Sequence, residues 1–248
     1  MNKNNILYKI KNKVNSAAIA LIDPDKEHDK KLPKMLDLIN DTNFDAIFVG
    51  GSTILDNKYE ERILFIKNNT SLPVIIFPGS SNQISKYADS ILFLTLISGR
   101  NPQFLIDEHV KASPYIYKLG IETISTGYIL IESGKETTVQ KTSKTQPLSQ
   151  NNKESILAHA LAGQYIGNKM IFLDNGSGAT NNIKSEIILY LKKYIEIPII
   201  VGGGIRNKKS ASDLSKAGAD YIVIGSKIEE LPSIEELISI TNLIHNPN

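Results

Sequence analysis

The chain has 248 residues, 41% of them hydrophobic, and its 28 basic and 26 acidic side chains leave a formal net charge of +2. That length suits a single α/β barrel, and the near balance of charge argues against a nucleic-acid-binding surface. The absence of cysteine excludes disulfides, thiolate nucleophiles and cysteine-ligated metals.

Apolar runs and amphipathic segments alternate along the first half of the chain, as expected for buried parallel strands separated by helices. The predicted elements are strand 16–22, a helix centred on 32–39, strand 45–49, helix 54–67, strand 74–77 and strand 91–96. Residues 81–89 are too few for a full barrel helix, so we expect an irregular third connection. Asn101 followed by Pro102 predicts the start of the next helix.

The alternation continues in the second half. The predicted elements are strand 122–131 with an interruption near Gly127, a helix burying Leu157, Ala160, Leu161 and Tyr165, strand 169–174, a helix burying Ile183, Ile187, Ile188, Leu191 and Ile195, strand 197–202, helix 208–217, strand 220–224, and a last helix burying Ile234, Leu237, Ile238 and Leu243. The polar stretch 132–152 predicts a long mobile loop. Eight strands alternating with helices predict a closed (βα)8 barrel as one domain over residues 1–248.

Targeting and membrane signals are absent from the pattern. Residues 1–15 alternate Lys and Asn with apolar residues and lack an apolar signal core and a cleavage site. No run approaches the roughly 18 consecutive apolar residues that would span a bilayer. We therefore expect a soluble cytoplasmic protein without a transmembrane segment.

Glycine-rich turns follow the last three predicted strands, at Gly176-Ser177-Gly178, Gly202-Gly203-Gly204 and Gly225-Ser226. Glycine turns present main-chain N–H groups to an anion, and βα barrels commonly bind phosphate with the turns after strands seven and eight. Three such turns in successive strands predict a phosphate-bearing ligand; tight turns without a ligand are the alternative.

The first predicted strand runs directly into Asp23-Pro24-Asp25-Lys26. One interpretation is a helix-capping turn, because proline fixes φ and carboxylates favour a helix N-terminus. The other is a Mg²⁺ site, since this ion takes one or two carboxylates and completes its shell with water and phosphate oxygens. The hydroxyl of Ser52, after the next strand, could complete such a site.

Seven segments together resemble the geranylgeranylglyceryl phosphate synthase family, whose relatives include bacterial heptaprenylglyceryl phosphate synthases. They are LIDPDK (21–26), VGGST (49–53), FPGS (77–80), LISGRNP (96–102), GSGA (176–179), VGGGIR (201–206) and IGS (224–226). The resemblance implies a modified TIM barrel without a regular third helix, forming a homodimer or larger assembly. It also implies Mg²⁺-dependent transfer of a prenyl group from a prenyl diphosphate to the C3 hydroxyl of sn-glycerol 1-phosphate, giving an ether lipid precursor and diphosphate. Geranylgeranyl diphosphate is the expected donor.

The same resemblance implies roles for individual residues. Asp23 and Ser52 fall on the family's magnesium positions. Its glycerol-phosphate positions fall on Phe172, Leu173, Asp174, Asn175, Gly176, Ser177, Gly178, Gly203, Gly204, Gly225 and Ser226. Lys26 and Arg100 are candidates for the departing diphosphate, with a solvated loop charge as the alternative for both.

The sixth predicted strand departs from the family motif Tyr-x-Glu, because Phe172 and Asp174 stand at these positions. Phenylalanine lacks the phenol donor, and aspartate is one methylene shorter than glutamate. Asp174 is a candidate catalytic base for the acceptor hydroxyl, which would have to lie closer; a capping role at the strand end is the alternative. For the whole chain, the alternatives are an isomerase or lyase barrel and a non-catalytic phosphate-binding relative.

Overall fold

Eight parallel strands form a closed barrel in which neighbours in sequence are neighbours in space and the eighth strand pairs with the first. The computed structural model describes residues 6–12, 14–51, 54 and 56–247, without the side chain of Lys26. The strands are β1 (Ala17–Ile22), β2 (Ala46–Val49), β3 (Val74–Ile76), β4 (Ser90–Leu96), β5 (Glu122–Leu130), β6 (Met170–Asp174), β7 (Ile199–Gly202) and β8 (Tyr221–Ile224). The predicted (βα)8 barrel is therefore confirmed.

Helices surround this barrel. They are α1 (Ile6–Lys11), α2 (Leu32–Asn40), α3 (Tyr59–Asn68), α4 (Glu108–Leu119), α5 (Thr138–Ser143), α6 (Lys153–Tyr165), α7 (Ser185–Leu191), α8 (Lys208–Lys216), α9 (Ser226–Glu229) and α10 (Ile234–His245). A π-helical turn, Gln103–Asp107, leads into α4, and Asn101 caps it by accepting the Gln103 N–H at 3.1 Å. None of the helices in the described ranges combines the length and apolarity needed to cross a membrane.

Alternate residues of most strands belong to two different apolar cores, one inside the barrel and one between the barrel and the helices. In β6, Phe172 packs inside the barrel with Phe48, whereas Leu173 packs outside against the surrounding helices. This division follows from the period of two along a strand. At the floor of the barrel, the Tyr221 hydroxyl donates to the main-chain oxygen of Leu7 in α1 at 2.9 Å. The strands are therefore buried on both faces, as their β-branched sequences predict.

The third connection has no helix among residues 77–89, so the predicted irregularity is confirmed. Buried Gln83 organises it: its side chain accepts the Gly79 N–H at 3.0 Å and donates to the Gly51 oxygen at 2.8 Å. The buried faces predicted around α2 and α7 are also confirmed, with Leu32, Met35, Leu36, Ile39, Ile183, Ile187, Ile188, Leu191 and Ile195 all buried.

Several predicted boundaries are wrong. Helix α3 begins at Tyr59 and not at Ile54, and β5 runs without interruption through Gly127. That glycine accommodates close packing, because an added Cβ would lie 2.9 Å from the amide nitrogen of Asn168. The polar stretch 132–152 also contains α5, which Thr137 caps by accepting the Gln140 N–H at 3.3 Å, so it is not a structureless loop.

The buried faces of two helices differ from the prediction. Helix α6 buries Ile156 and Ala160, whereas Leu157 and Leu161 are half-buried and Tyr165 is 77% exposed. The buried face of α10 is also different from the predicted one. That helix buries Leu237 together with Ile240, Thr241 and Ile244, and leaves Ile234, Ile238 and Leu243 partly exposed. Short apolar runs permit two registers of a helix face, and packing against the barrel selects one.

Candidate active site

A cavity opens at the carboxyl ends of the strands. Asp23 after β1 and Gly51 after β2 line one side of it, and Gly203 after β7 and Gly225 after β8 line another. In parallel barrels the carboxyl ends of all strands meet at one face, where catalytic sites lie. The carboxylate at the start of the chain and the glycine turns near its end therefore share one mouth.

Most of the predicted site residues line this cavity. They are Asp23, Phe172, Asp174, Gly176, Ser177, Gly203, Gly204, Gly225 and Ser226. The turn after β7 requires glycine: Gly203 has φ +88°, and a Cβ there would lie 2.8 Å from the Cβ of Asn175. The main chain of three turns thus forms part of the cavity surface, an arrangement suited to binding a phosphate through N–H groups.

Asp23 is a half-buried acid with one buried, unsatisfied oxygen. Its Oδ1 atom has no hydrogen-bond partner among the described residues, and a Cβ on Gly51 would lie 2.3 Å from it. Burial, and secondarily the charges of Glu229 and Asp25 acting against that of His28, raises the pKa of Asp23 to about 6. A buried carboxylate oxygen without a donor fits a cation ligand. The residues present therefore fit Mg²⁺.

Protein ligands for such a cation are few. No group of three or more His, Asp or Glu side chains able to hold a metal occurs within the described ranges. Ser52, the second predicted ligand, lies outside the described residues, and so does the side chain of Lys26. The donor set at Asp23 therefore matches Mg²⁺, which keeps water and phosphate oxygens in its shell, better than a metal held by protein ligands alone.

Asp174 ends β6 inside the same cavity. The Tyr128 hydroxyl donates to its Oδ2 atom at 2.5 Å, and the Gly176 N–H donates to its Oδ1 atom at 2.9 Å. Burial raises the pKa of Asp174 above its ordinary value, and these two hydrogen bonds act in the opposite direction. The carboxyl group is thus fixed in place, and its remaining lone pairs can accept a proton from a bound ligand.

A second cavity, with largely apolar walls, adjoins the first and shares Phe77, Pro78, Gly79 and Val139 with it. It extends between β4 and α4, where Phe93, Ala112 and Ile116 line it. The irregular third connection contributes Ser80, Ser81 and Ile84 to its wall. The absence of a barrel helix at that connection leaves this space open. A mouth lined by glycine turns and carboxylates therefore adjoins an apolar pocket, and the two share part of their lining.

Some predicted residues lie elsewhere. The side chain of Leu173 points out of the barrel because of strand alternation, so that side chain does not line the cavity, and the predicted role of this position in substrate binding stays a prediction. Asn175 is buried beneath its turn, where its amide donates to the Asn181 oxygen at 2.7 Å. Gly178, with φ +69°, is not among the lining residues, and its open side faces the ammonium group of Lys135.

Arg100 also lies outside both cavities. Its guanidinium donates to the Gly99 oxygen at 2.6 Å and lies 3.3 Å from the Nε2 atom of His159. These contacts direct it toward α6, and its role toward diphosphate stays a prediction.

Other lining residues were not predicted as site residues. Phe77 lines both cavities, Tyr128 lines the apolar one, and Arg206 and Glu229 line the first. Arg206 comes two residues after the glycine turn that the sequence predicts as part of a phosphate site, so its place in the chain could have marked it as a site residue. Tyr128 pairs with Phe172 across β5 and β6, a register that periodicity along one strand does not reveal.

A closed parallel barrel with glycine turns after β6, β7 and β8 around one cavity defines the class of phosphate-binding βα barrels. The PcrB family model matches residues 9–242. A geranylgeranylglyceryl phosphate synthase from Flavobacterium johnsoniae is 48% identical over 209 residues, which cover 84% of this chain and 86% of that protein.

Two solved structures superpose closely on the chain. A GGGPS from Thermoplasma volcanium has a TM-score of 0.87 at 36% identity and covers 98% of this chain and 97% of its own. The (S)-3-O-geranylgeranylglyceryl phosphate synthase of Thermoplasma acidophilum, in complex with its substrate sn-glycerol-1-phosphate, has a TM-score of 0.87 at 32% identity and covers 97% and 98%. The chain belongs to the PcrB family and is an enzyme of the geranylgeranylglyceryl phosphate synthase type, a prenyltransferase.

Proposed function

We propose that this enzyme joins a prenyl diphosphate to the C3 hydroxyl of sn-glycerol 1-phosphate in a Mg²⁺-dependent reaction that forms an ether and diphosphate. The observation that carries the proposal is that two adjoining cavities share part of their lining, one bounded by glycine turns and carboxylates and the other by apolar side chains. A substrate pair with a phosphate at one end and a hydrocarbon tail at the other matches this division.

The acceptor phosphate binds at the turns after β6, β7 and β8, where main-chain N–H groups can surround it. This placement brings the acceptor's hydroxyl groups toward Asp174, which lines the same cavity. Anchoring the phosphate makes attack by the hydroxyl effectively intramolecular, which lowers the entropic part of the barrier. The complex of the Thermoplasma acidophilum relative with sn-glycerol-1-phosphate supports this choice of acceptor.

The donor tail occupies the apolar cavity beside β4 and α4. Phe77 and Val139 line both cavities, so the allylic end of the tail would lie near them, between the two substrates. Geranylgeranyl diphosphate is the preferred donor in this proposal, as in the named activity of the relatives. Exclusion of water by the apolar walls favours transfer to the glycerol hydroxyl over hydrolysis.

Asp23, with Ser52, would hold Mg²⁺ at the edge of the mouth. When bound, the ion neutralises charge on the leaving diphosphate and helps to orient it. In the transfer, a bond forms between the glycerol C3 oxygen and the allylic carbon as the bond from that carbon to diphosphate breaks. Asp174 accepts the hydroxyl proton, and diphosphate departs with the bonding electron pair.

The test is incubation of the protein with labelled sn-glycerol 1-phosphate, Mg²⁺ and prenyl diphosphates of several lengths. We expect a lipid-soluble ether product from sn-glycerol 1-phosphate and much less from sn-glycerol 3-phosphate. Asp174→Asn serves as the matched control, because it keeps the shape of the side chain and removes the base. Failure to form product with any donor length would overturn the proposal.

We also propose that the enzyme assembles as a homodimer or larger homo-oligomer, as the family resemblance implies. Sedimentation velocity over a range of protein concentrations tests this directly. A single species with the mass of one chain at all concentrations would contradict it.

A further inference from the structure

The carboxylate of Asp174 depends on a tyrosine from the neighbouring strand. In the pairing of β5 with β6, Tyr128 lies opposite Phe172 and Leu130 lies opposite Asp174. The Tyr128 side chain therefore reaches diagonally along the barrel interior to place its hydroxyl 2.5 Å from Asp174 Oδ2. Both side chains are buried, so this hydrogen bond forms away from competing water.

The Asp174 carboxylate has no basic side chain beside it in the described part of the chain that could stabilise its negative charge in place of the Tyr128 hydroxyl. In the described part of the chain, no lysine, arginine or histidine forms an ion pair with Asp174. Its partners are the Tyr128 hydroxyl and the Gly176 N–H alone. Burial raises the pKa of Asp174, and the Tyr128 hydrogen bond is the larger of the two effects that lower it. An uncompensated buried carboxylate would be protonated at a higher pH, so less of it would be in the ionised form that can accept a proton.

Tyr128 is well suited to act as a permanent donor. Burial, together with the nearby Asp174, raises the pKa of its phenol well above the ordinary value, so the hydroxyl keeps its proton at neutral pH. Its ring is held between neighbours, with centroid separations of 6.0 Å to Phe77 and 5.5 Å to Phe172. The ring faces the apolar cavity while Asp174 faces the polar one. The hydroxyl therefore bridges the wall between the two cavities.

We propose that Tyr128 is a positioning residue for the transfer reaction, whose hydroxyl fixes the Asp174 carboxylate so that its free lone pairs face the acceptor hydroxyl. This inference rests on the proposed function. The phenol keeps its own proton throughout, and the acceptor proton moves to Asp174. Because Phe172 carries no hydroxyl, Tyr128 is the tyrosine within reach of this carboxylate in the described structure.

The test variant is Tyr128→Phe, which removes one oxygen and retains the ring packing. We expect kcat to fall about 10- to 100-fold, the effect of losing one hydrogen bond to a charged group. The KM for sn-glycerol 1-phosphate should change less than about threefold, because the phosphate turns are untouched. The acid limb of the kcat profile should move to higher pH, since the ionised form of Asp174 loses a stabilising donor.

Tyr221→Phe is the matched control, because it removes a buried hydroxyl at the opposite end of the barrel, where Tyr221 donates to Leu7. It should alter thermal stability and leave kcat and the acid limb unchanged. If folded Tyr128→Phe matches the wild type in both kcat and acid limb, the inference is wrong.

A second measurement separates this inference from the proposed function. Infrared difference spectroscopy of the ligand-free protein can follow the carboxyl stretch that is lost in Asp174→Asn. In Tyr128→Phe this carboxyl should titrate at higher pH than in the wild type, and an unchanged titration would overturn the inference. If the wild type forms no product with any donor, the proposed function fails while this titration still decides the role of Tyr128.

Discussion

Replacing Asp23 with asparagine should stabilise the protein in the absence of metal. The pKa of Asp23 is raised from 3.8 to about 6, chiefly by burial. Since one pKa unit corresponds to ~1.4 kcal/mol, the ionised side chain costs at most ~3 kcal/mol of folding free energy. Asparagine has a similar shape and carries no charge, so Asp23→Asn should recover up to this amount.

The pH dependence of the effect has a definite sign. Between about pH 4 and pH 6 the native state binds more protons than the unfolded state, so wild-type stability falls as pH rises through this window. The variant lacks this loss. The two proteins should therefore be about equally stable near pH 4 and should differ most above about pH 6, where Asp23 is ionised.

Urea unfolding of both proteins in chelator, across this pH range, measures the difference. Mg²⁺ should then stabilise the wild type, by ~2.7 kcal/mol at one hundred times its Kd, and leave Asp23→Asn unchanged. Asp213→Asn, which removes an exposed carboxylate paired with Lys209 on α8, is the control and should retain the Mg²⁺ response. Equal stabilities above about pH 6 in chelator, or equal Mg²⁺ responses in wild type and Asp23→Asn, would refute the reasoning.

Three further substitutions test the two cavities. Gly203→Ala should raise the KM for sn-glycerol 1-phosphate at least tenfold, because the new Cβ would lie 2.8 Å from the Cβ of Asn175 and displace the turn. Ala112→Trp should fill the apolar cavity, so kcat/KM should fall steeply for geranylgeranyl diphosphate and much less for a shorter prenyl donor. Asp174→Glu should lower kcat about tenfold or more, since an added methylene disrupts the 2.5 Å contact with Tyr128.

For each of these three substitutions, one outcome would contradict the expected role of the residue. An unchanged acceptor KM in Gly203→Ala would remove that turn from the phosphate site. A uniform loss for all donor lengths in Ala112→Trp would indicate general damage and not a filled tail pocket. Wild-type turnover in Asp174→Glu would mean that the reach of this carboxylate is not limiting.

The convergence of the polar mouth could be predicted from the sequence. Asp23, Gly203 and Gly225 each follow a short β-branched run, and parallel strands place such positions on one face of a barrel. The same logic located Asp174 at the end of β6. These features depend on local pattern and on the order of strands, both of which a single sequence carries.

The contacts between segments could not be predicted in the same way. The hydrogen bond of Tyr128 to Asp174 depends on the register of β5 against β6. Because the sequence predicted an interruption of the strand near Gly127, that register could not be predicted. The apolar cavity combines Phe93, Ala112 and Val139 from three separate elements. In sequence these residues look like ordinary core positions, because periodicity reports that a side chain is buried and not whether it faces a void.

The central claim is that one mouth joins an anion-binding surface to an apolar tail pocket. A crystal structure with sn-glycerol 1-phosphate, Mg²⁺ and an unreactive thiodiphosphate analogue of geranylgeranyl diphosphate tests it most directly. We expect the acceptor phosphate at the Gly203 and Gly225 turns, the metal at Asp23 and the tail between Phe93 and Ala112. A tail lying along the outer surface, or an acceptor phosphate away from these turns, would contradict the claim.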